Sequence, residues 1–136
     1  MNIAESSAES ILVVDDDVEI LESLRDALED AGYSVTTARH GREGLDRLAG
    51  MDRPSLILLD LMMPVMSGPE FLDALREDDR FSDVPVVVVS AYGHLADSTC
   101  GVAGFVRKPV NLGTLLECVA RHSDHSRGAP TATARC

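Results

Sequence analysis

Short apolar runs and longer amphipathic stretches alternate along this chain. The strongest apolar runs are residues 11–14, 56–59 and 86–89, and weaker ones lie at 33–38 and 105–106. A strand that is buried on both faces is continuously apolar, whereas a half-exposed strand alternates. The pattern therefore predicts a parallel sheet between two layers of helices, with the weakly apolar run at 33–38 forming an edge strand.

Between these runs, hydrophobic residues recur at helical spacing. A first helix follows Asp17, a plausible N-cap, and ends at Gly32. Residues 41–49 form a short second helix, and the S-x-x-E capping box at 67–70 starts a third. The first helix has a predicted buried stripe of Val18, Leu21, Leu24 and Leu28.

The pattern in the last third of the chain predicts two further helices, one from a weak periodicity and one from a clear periodicity. Residues 91–103 carry only a weak pattern, so the fourth helix should be short or irregular. A fifth helix begins after Asn111, its predicted cap. Its predicted buried stripe consists of Leu112, Leu115, Leu116 and Val119.

Strand and helix alternate five times, which predicts a doubly wound α/β fold. We expect a flavodoxin-like (βα)5 sandwich whose parallel sheet has the order 2-1-3-4-5. One domain should span residues 10–122, between a disordered segment at 1–9 and a disordered tail at 123–136. In that sheet order, ligands bind at the switch point between the first and third strands.

Composition narrows the range of partners. The 136 residues carry a formal net charge of −11, which repels nucleic-acid phosphate and anionic membranes alike. The first residues lack the apolar core of a signal peptide, and no apolar run reaches membrane-spanning length. The three cysteines lack the spacing of a zinc site or a disulfide framework. We expect a cytoplasmic protein that neither binds nucleic acid directly nor inserts into a membrane.

Polar and charged residues stand where the predicted strands end. Asp15 and Asp16 follow the first run, Asp60 the third and Ser90 the fourth, and Lys108 comes after the fifth. Because parallel strands share one carboxyl edge, we expect these side chains to converge there.

Three carboxylates held together either protonate in part or hold a cation among them. At roughly 5 Å and an effective dielectric near 20, each ionised pair repels by about 3 kcal/mol. Mg²⁺ suits such an open, all-oxygen site. Lys108 is the only lysine among 12 basic residues, and its ammonium supplies a compact charge. With Asp60 as nucleophile and Ser90 as a hydrogen-bond donor, the set predicts a phosphoryl acceptor.

Four motifs carry a family resemblance, in order and near the expected intervals. They are V-V-D-D-D, L-L-D-L-M-M-P-V-M-S-G, V-V-V-V-S-A and F-V-R-K-P, and over about residues 10–121 they resemble the receiver domain of two-component response regulators. The resemblance implies that Asp60 is the phosphoacceptor. It also implies that Asp15, Asp16, Asp60 and the backbone carbonyl of Met62 hold Mg²⁺.

The resemblance further implies a switch. On phosphorylation the Ser90 hydroxyl moves inward, Phe105 follows it, and Lys108 faces the phosphoryl group. The Lys108–Pro109 bond is expected to be cis. The stretch between Ser90 and Lys108 is about one helical turn shorter than is usual in the family, so the customary output surface around the fourth helix should be altered.

Together these observations predict a stand-alone receiver, not a turnover enzyme. Its donor would be a histidine kinase or a histidine phosphotransfer protein, and its readout a downstream protein partner, a phosphorelay or a homodimer. Two alternatives stay open. One is a phosphorylation-independent interaction module on the same scaffold. The other is a haloacid-dehalogenase-like phosphatase, which needs a second acid where this chain has Met62.

Overall fold

The computed structural model describes residues 9–61, 65–91 and 102–123. Its strands form one parallel sheet in the order β2-β1-β3-β4-β5. They are β1 (Ser10–Val14), β2 (Ser34–Ala38), β3 (Leu56–Asp60), β4 (Val86–Ser90) and β5 (Gly104–Arg107). The predicted doubly wound fold and sheet order are confirmed, including the edge position of β2.

Four helices lie within the described residues: α1 (Val18–Asp30), α2 (Gly41–Ala49), α3 (Gly68–Arg76) and α4 (Leu112–Ser123). The helix labelled α4 is the one that the sequence predicts as the fifth. The predicted short fourth helix falls largely on residues 92–101, outside the described residues, as do most of the two terminal segments predicted to be disordered.

The predicted helix starts are confirmed atom by atom. The carboxylate of Asp17 accepts the amides of Glu19 and Ile20 at the start of α1. At α3, Ser67 and Glu70 form a reciprocal capping box. Asn111 Oδ1 accepts the Thr114 amide before α4, and Gly32 adopts a φ of 104° after α1. Each cap satisfies amides that a helix end would otherwise leave without a partner.

Strand residues alternate between two helical layers because successive side chains point to opposite faces of a sheet. Ile11, Val13, Leu56 and Leu58 pack on the side of α1 and α4. Leu12, Val14, Ile57 and Leu59 pack on the side of α2 and α3. All eight are at most 1% exposed, so β1 and β3 form the centre of the molecule.

The prediction of burial is wrong for two residues of the helical stripes. Val18 is 45% exposed and Leu112 is 40% exposed, whereas Leu115 and Val119 are fully buried as predicted. Val18 and Leu112 are the first residues of α1 and α4, and both lie beyond the ends of the strands on which those helices pack. None of the described helices combines the length and apolar character needed to cross a membrane.

Candidate functional site

The carboxyl ends of the strands bring the predicted polar residues together. Asp60 and Ser90 are the last residues of β3 and β4, and Asp15 follows β1 directly. They are 4%, 0% and 2% exposed, and no other polar or charged side chains in the described ranges are classed as buried. Asp16, in contrast, is exposed and forms the open side of the cluster.

Asp15 is held by contacts from three elements. Its amide donates to the carbonyl of Ala38 at the end of β2, at 3.1 Å. Its Oδ1 accepts the Asp17 amide at 2.9 Å, and its Oδ2 lies 3.0 Å from Nζ of Lys108. Because both oxygens have partners, the carboxylate has a fixed orientation towards the switch point between β1 and β3.

Lys108 directly follows β5, the strand at the opposite edge of the sheet from β2, and its side chain extends to the acidic cluster. Its amide donates to the Ser90 carbonyl at 2.9 Å, which extends the β4–β5 pairing by one step, and the bond to Pro109 is cis as predicted. Its Nζ lies 3.6 Å from Oδ2 of Asp60, and the side chain is 18% exposed. One ammonium therefore contacts two buried carboxylates.

Burial and charge oppose each other in this cluster. Burial raises the pKa of Asp15 above its ordinary value, and the Asp17 amide and the Lys108 ammonium offset only part of that effect. Burial alone would lower the pKa of Lys108. The hydrogen bond to Asp15 and the charges of Asp15, Asp60 and Asp16 outweigh burial, so that pKa is raised. The site therefore disfavours the charged form of Asp15 and favours the charged form of Lys108.

The donor set fits a hard divalent cation. One carboxylate oxygen from each of Asp15, Asp16 and Asp60 lies within 4.8 Å of the other two. Oxygens that share a Mg²⁺ ion at 2.0–2.1 Å are roughly 3–4 Å apart, so small side-chain rotations would complete the geometry. The fourth predicted ligand, the Met62 carbonyl, lies outside the described residues.

The two predicted switch residues lie on the same face of the sheet. Ser90 pairs with Arg107 and Val88 with Phe105 in the β4–β5 register. Partners in a ladder point to the same face, and so do residues two apart along a strand. Phe105 therefore lies next to Val88, two residues before Ser90, on the same face of the sheet. It is only half-buried, which leaves it room to change position.

Gly68 supports the site and was not among the predicted site residues. A Cβ built on Gly68 would lie 2.6 Å from the Leu61 Cα and 2.8 Å from the Asp60 carbonyl oxygen. The Gly68 amide also donates to the Leu61 carbonyl at 3.1 Å. The start of α3 thus rests on the backbone that carries Asp60. The glycine directly after the capping serine is the sequence signal that could have found this contact.

Comparisons with known proteins agree on one family. The family model of the response regulator receiver domain matches residues 11–120. The polar-differentiation response regulator DivK of Brucella anthropi is 32% identical over 114 residues, which cover 81% of this chain and 92% of that protein. The transcriptional regulatory protein PrrA of Mycobacterium tuberculosis is 44% identical over 82% of this chain. The match spans 47% of PrrA, so the chain corresponds to about half of that relative.

Solved structures are similar over most of the chain. The chemotaxis response regulator CheY4 of Vibrio cholerae has a TM-score of 0.77 and 34% identity, covering 85% of this chain and 98% of that one. A receiver domain protein from Methanospirillum hungatei has a TM-score of 0.80 and 33% identity, covering 88% and 97%. Both therefore share the doubly wound fold of this chain.

Proposed function

The chain belongs to the response regulator receiver family, and from this premise we propose that it is a phosphorylation-controlled switch with Asp60 as the phosphoacceptor. The single observation that carries the proposal is the position of Lys108. Its Nζ lies between two buried carboxylates, 3.0 Å from Asp15 and 3.6 Å from Asp60. A carboxylate that faces a fixed ammonium at a sheet edge is suited to receive and hold a phosphoryl group.

The proposed reaction is an in-line transfer. A carboxylate oxygen of Asp60 attacks the phosphorus of a phosphohistidine, a P–O bond forms and the P–N bond breaks, and the imidazole leaves with the P–N electron pair. Lys108 stabilises charge on the phosphoryl oxygens. Ser90, buried one residue beyond Asp60 in the β3–β4 register, offers a hydroxyl to one of them.

Mg²⁺ fits the donor set, and we propose that Asp15, Asp16, Asp60 and the Met62 carbonyl hold it. When bound, it supplies positive charge that offsets the repulsion among the carboxylates and the incoming phosphoryl group. Asp16 is exposed and so provides the route by which the ion enters.

The proposed signal is a rearrangement of β4 and β5. Phosphorylation adds a charge of about −1.5 to −2 at Asp60. Lys108 and Ser90 respond to this charge, and Phe105 shares its sheet face with Ser90. A change in their positions would alter the surface formed by β5 and α4, which a downstream protein partner, a phosphorelay protein or a second copy would read.

Three exposed hydrophobic residues favour a protein donor. Val18, Val65 and Leu112 are the large hydrophobic residues classed as exposed in the described ranges. They follow β1, β3 and β5, so all three lie at the edge that carries Asp60. A contiguous exposed apolar patch is typical of a docking surface, and we propose that these three residues belong to one. We propose that a histidine kinase or a histidine phosphotransfer protein docks there.

Intact-protein mass spectrometry tests the acceptor. The protein is incubated with a small phosphodonor such as acetyl phosphate, with Mg²⁺ or with a chelator. We expect a gain of one phosphoryl group that requires Mg²⁺ and is lost in Asp60→Asn. Asp26→Asn, an exposed acid on α1, is the matched control and should be phosphorylated as wild type. A folded protein that is stabilised by Mg²⁺ but gains no mass from any donor would instead favour a phosphorylation-independent interaction module.

A further inference from the structure

A cavity lies at the edge of the sheet, and its lining contains none of the acidic-site residues Asp15, Asp16 and Asp60. It has a volume of about 290 Å³ and opens between α1, the end of β2 and α2. None of the residues assigned above to the phosphoacceptor chemistry or to metal binding lines it, although Val18 of the proposed docking surface does. Its volume is near the lower end of the range of pockets that hold small ligands.

Arginines are concentrated in this cavity. Arg25, Arg39 and Arg47 line it, although the chain as a whole has a net charge of −11. Two acids, Glu22 and Glu43, also line it. Three of the 12 basic residues of the chain therefore line this cavity. Their ion pairs determine which of the three charges are available to a ligand.

Glu43 and Arg47 neutralise each other. Arg47 Nη2 lies 3.3 Å from Glu43 Oε2, and the other carboxylate oxygen, Oε1, accepts the Arg39 amide at 2.6 Å. By contrast, the guanidinium groups of Arg25 and Arg39 make no ion pair anywhere in residues 9–61, 65–91 and 102–123. Two unneutralised guanidinium groups remain, with Glu22 as the one opposing charge.

Arg47 also decides what kind of ligand can enter. In β2, the Ser34 amide and the Ala38 carbonyl are bonded towards β1, so the peptide groups of Val35 and Thr37 face the open edge. Arg47 Nε donates to the Thr37 carbonyl at 3.1 Å and lies across that edge. A side chain in this position blocks the addition of a further strand. The cavity is therefore closed to an extended peptide and open to a small molecule.

We propose that this cavity binds a small dianion, a phosphate ester or a dicarboxylate, between Arg25 and Arg39. Each guanidinium offers a planar pair of N–H donors that matches the two oxygens of a phosphate or carboxylate group. A dianion neutralises both charges, while the Glu43–Arg47 pair keeps α2 and the β2 edge in place. This site is independent of the phosphoacceptor chemistry at Asp60.

The test is an NMR titration of the full chain with a chelator present, which prevents phosphate from binding through Mg²⁺ at Asp60. The probes are inorganic phosphate and succinate, each compared with sodium chloride at the same ionic strength. We expect the amides of Thr37 and Arg39 to shift to saturation with at least one probe. The double variant Arg25→Gln/Arg39→Gln should bind about tenfold more weakly or worse, since each lost bidentate pair removes a charge-assisted interaction. Each single variant should fall between.

Arg42→Gln is the matched control, because Arg42 is exposed on α2 and does not line the cavity. Saturation by phosphate alone would assign the phosphate class, and saturation by succinate alone the dicarboxylate class. The proposal is overturned if chloride produces the same shifts, if neither probe saturates, or if the double variant binds as wild type. Asp60→Asn should bind as wild type does, so a failed phosphoacceptor and a failed anion site give different results.

Discussion

Nζ of Lys108 lies 3.0 Å from Oδ2 of Asp15, closer than the 3.6 Å that separates it from Asp60. The ammonium is therefore shared by two carboxylates from neighbouring strands and lies closer to Asp15 than to Asp60, the proposed phosphoacceptor. A phosphoryl group on Asp60 would add a charge of about −1.5 to −2 and compete with Asp15 for the same ammonium. In the proposed mechanism Lys108 would respond to phosphorylation as well as promote it.

The first prediction concerns removal of this ammonium. In Lys108→Met the three carboxylates face one another without a cation, so the free energy of unfolding in chelator should fall by about 2–3 kcal/mol. Mg²⁺ should restore much of that loss by binding the folded state. Urea denaturation with and without Mg²⁺ measures both effects. Equal losses in the two conditions would show that Lys108 acts through packing alone.

The pH dependence of Lys108 has a definite sign. Its pKa is raised in the folded protein, so the stabilisation it contributes is fully present below the ordinary lysine value of 10.5. It is lost as the pH rises through the raised value. The stability difference between wild type and Lys108→Met in chelator should therefore be constant near neutral pH and shrink only under strongly alkaline conditions.

The second prediction concerns Asp15, whose burial lowers the free energy of unfolding as the carboxylate becomes charged. Because burial raises its pKa, the folded chain binds this proton more tightly than the unfolded chain does, and stability falls as the pH rises from the ordinary value of 3.8 through the raised value. In chelator, Asp15→Asn should therefore gain stability relative to wild type over that pH range. In Mg²⁺ the order should reverse, because the variant lacks a metal ligand. Denaturation across pH with and without Mg²⁺ measures this, and a stability difference in chelator that stays constant as the pH rises above 3.8 would contradict it.

A third prediction tests the docking surface. Val18→Asp and Leu112→Asp place a carboxylate on the first residue of α1 and of α4, where the helix dipole accepts it and the fold is kept. Phosphotransfer from a phosphorylated histidine phosphotransfer protein should slow by about tenfold or more, since an apolar contact becomes a buried charge. Phosphorylation by acetyl phosphate serves as the internal control and should be unchanged. Equal slowing with both donors would place the defect in the chemistry instead.

A fourth prediction concerns Gly68. In Gly68→Ala the new methyl group would lie under 3 Å from backbone atoms of Leu61 and Asp60, and backbone cannot move aside cheaply. We expect a loss of about 1–3 kcal/mol of stability and slower phosphorylation. Gly50→Ala is the control, because a Cβ there meets nothing within 4 Å and φ is −110°. If Gly68→Ala matched the control in both measurements, Gly68 would not position the β3 end.

Sequence reasoning predicted much of this architecture, because periodicity reports burial directly. The buried hydrophobic residues of β1, β3 and β4 form continuous apolar runs, and α2 begins and ends at the predicted residues. The convergence of Asp15, Asp60 and Lys108 was also predictable, since residues that follow parallel strands meet at one edge. The prediction failed at Val18 and Leu112, where helical spacing continues past the strand ends and nothing remains to cover the side chain.

Other features depend on three-dimensional relations that no periodicity encodes. The cavity lined by Arg25, Arg39 and Arg47 combines residues from α1, β2 and α2, and only the packing shows which arginines lack an ion-pair partner. The contact of Gly68 with the β3 backbone likewise depends on how closely α3 approaches the sheet. Backbone dihedrals form a third such feature, and Val65 is the clearest case.

Val65 adopts a positive φ of 66° and is 75% exposed. A β-branched residue in the left-handed region is strained by about 1–2 kcal/mol, because its Cβ crowds the adjoining peptide group. Its exposure means that little hydrophobic burial offsets this strain. Val65→Gly should therefore raise the free energy of unfolding by about 1 kcal/mol, even after the extra flexibility of glycine in the unfolded chain is allowed for.

Val65→Ala separates backbone strain from the loss of an exposed side chain. Alanine keeps the Cβ, so most of the strain should remain and its stability should stay close to that of wild type, while Val65→Asn should fall between, since asparagine tolerates this conformation. Urea denaturation of the three variants measures the order. If glycine and alanine gave equal stability, the gain could not come from φ. A glycine variant that is more stable and is still phosphorylated on Asp60 would show that the strain after β3 is not needed for the acceptor chemistry and belongs instead to the exposed surface beside it.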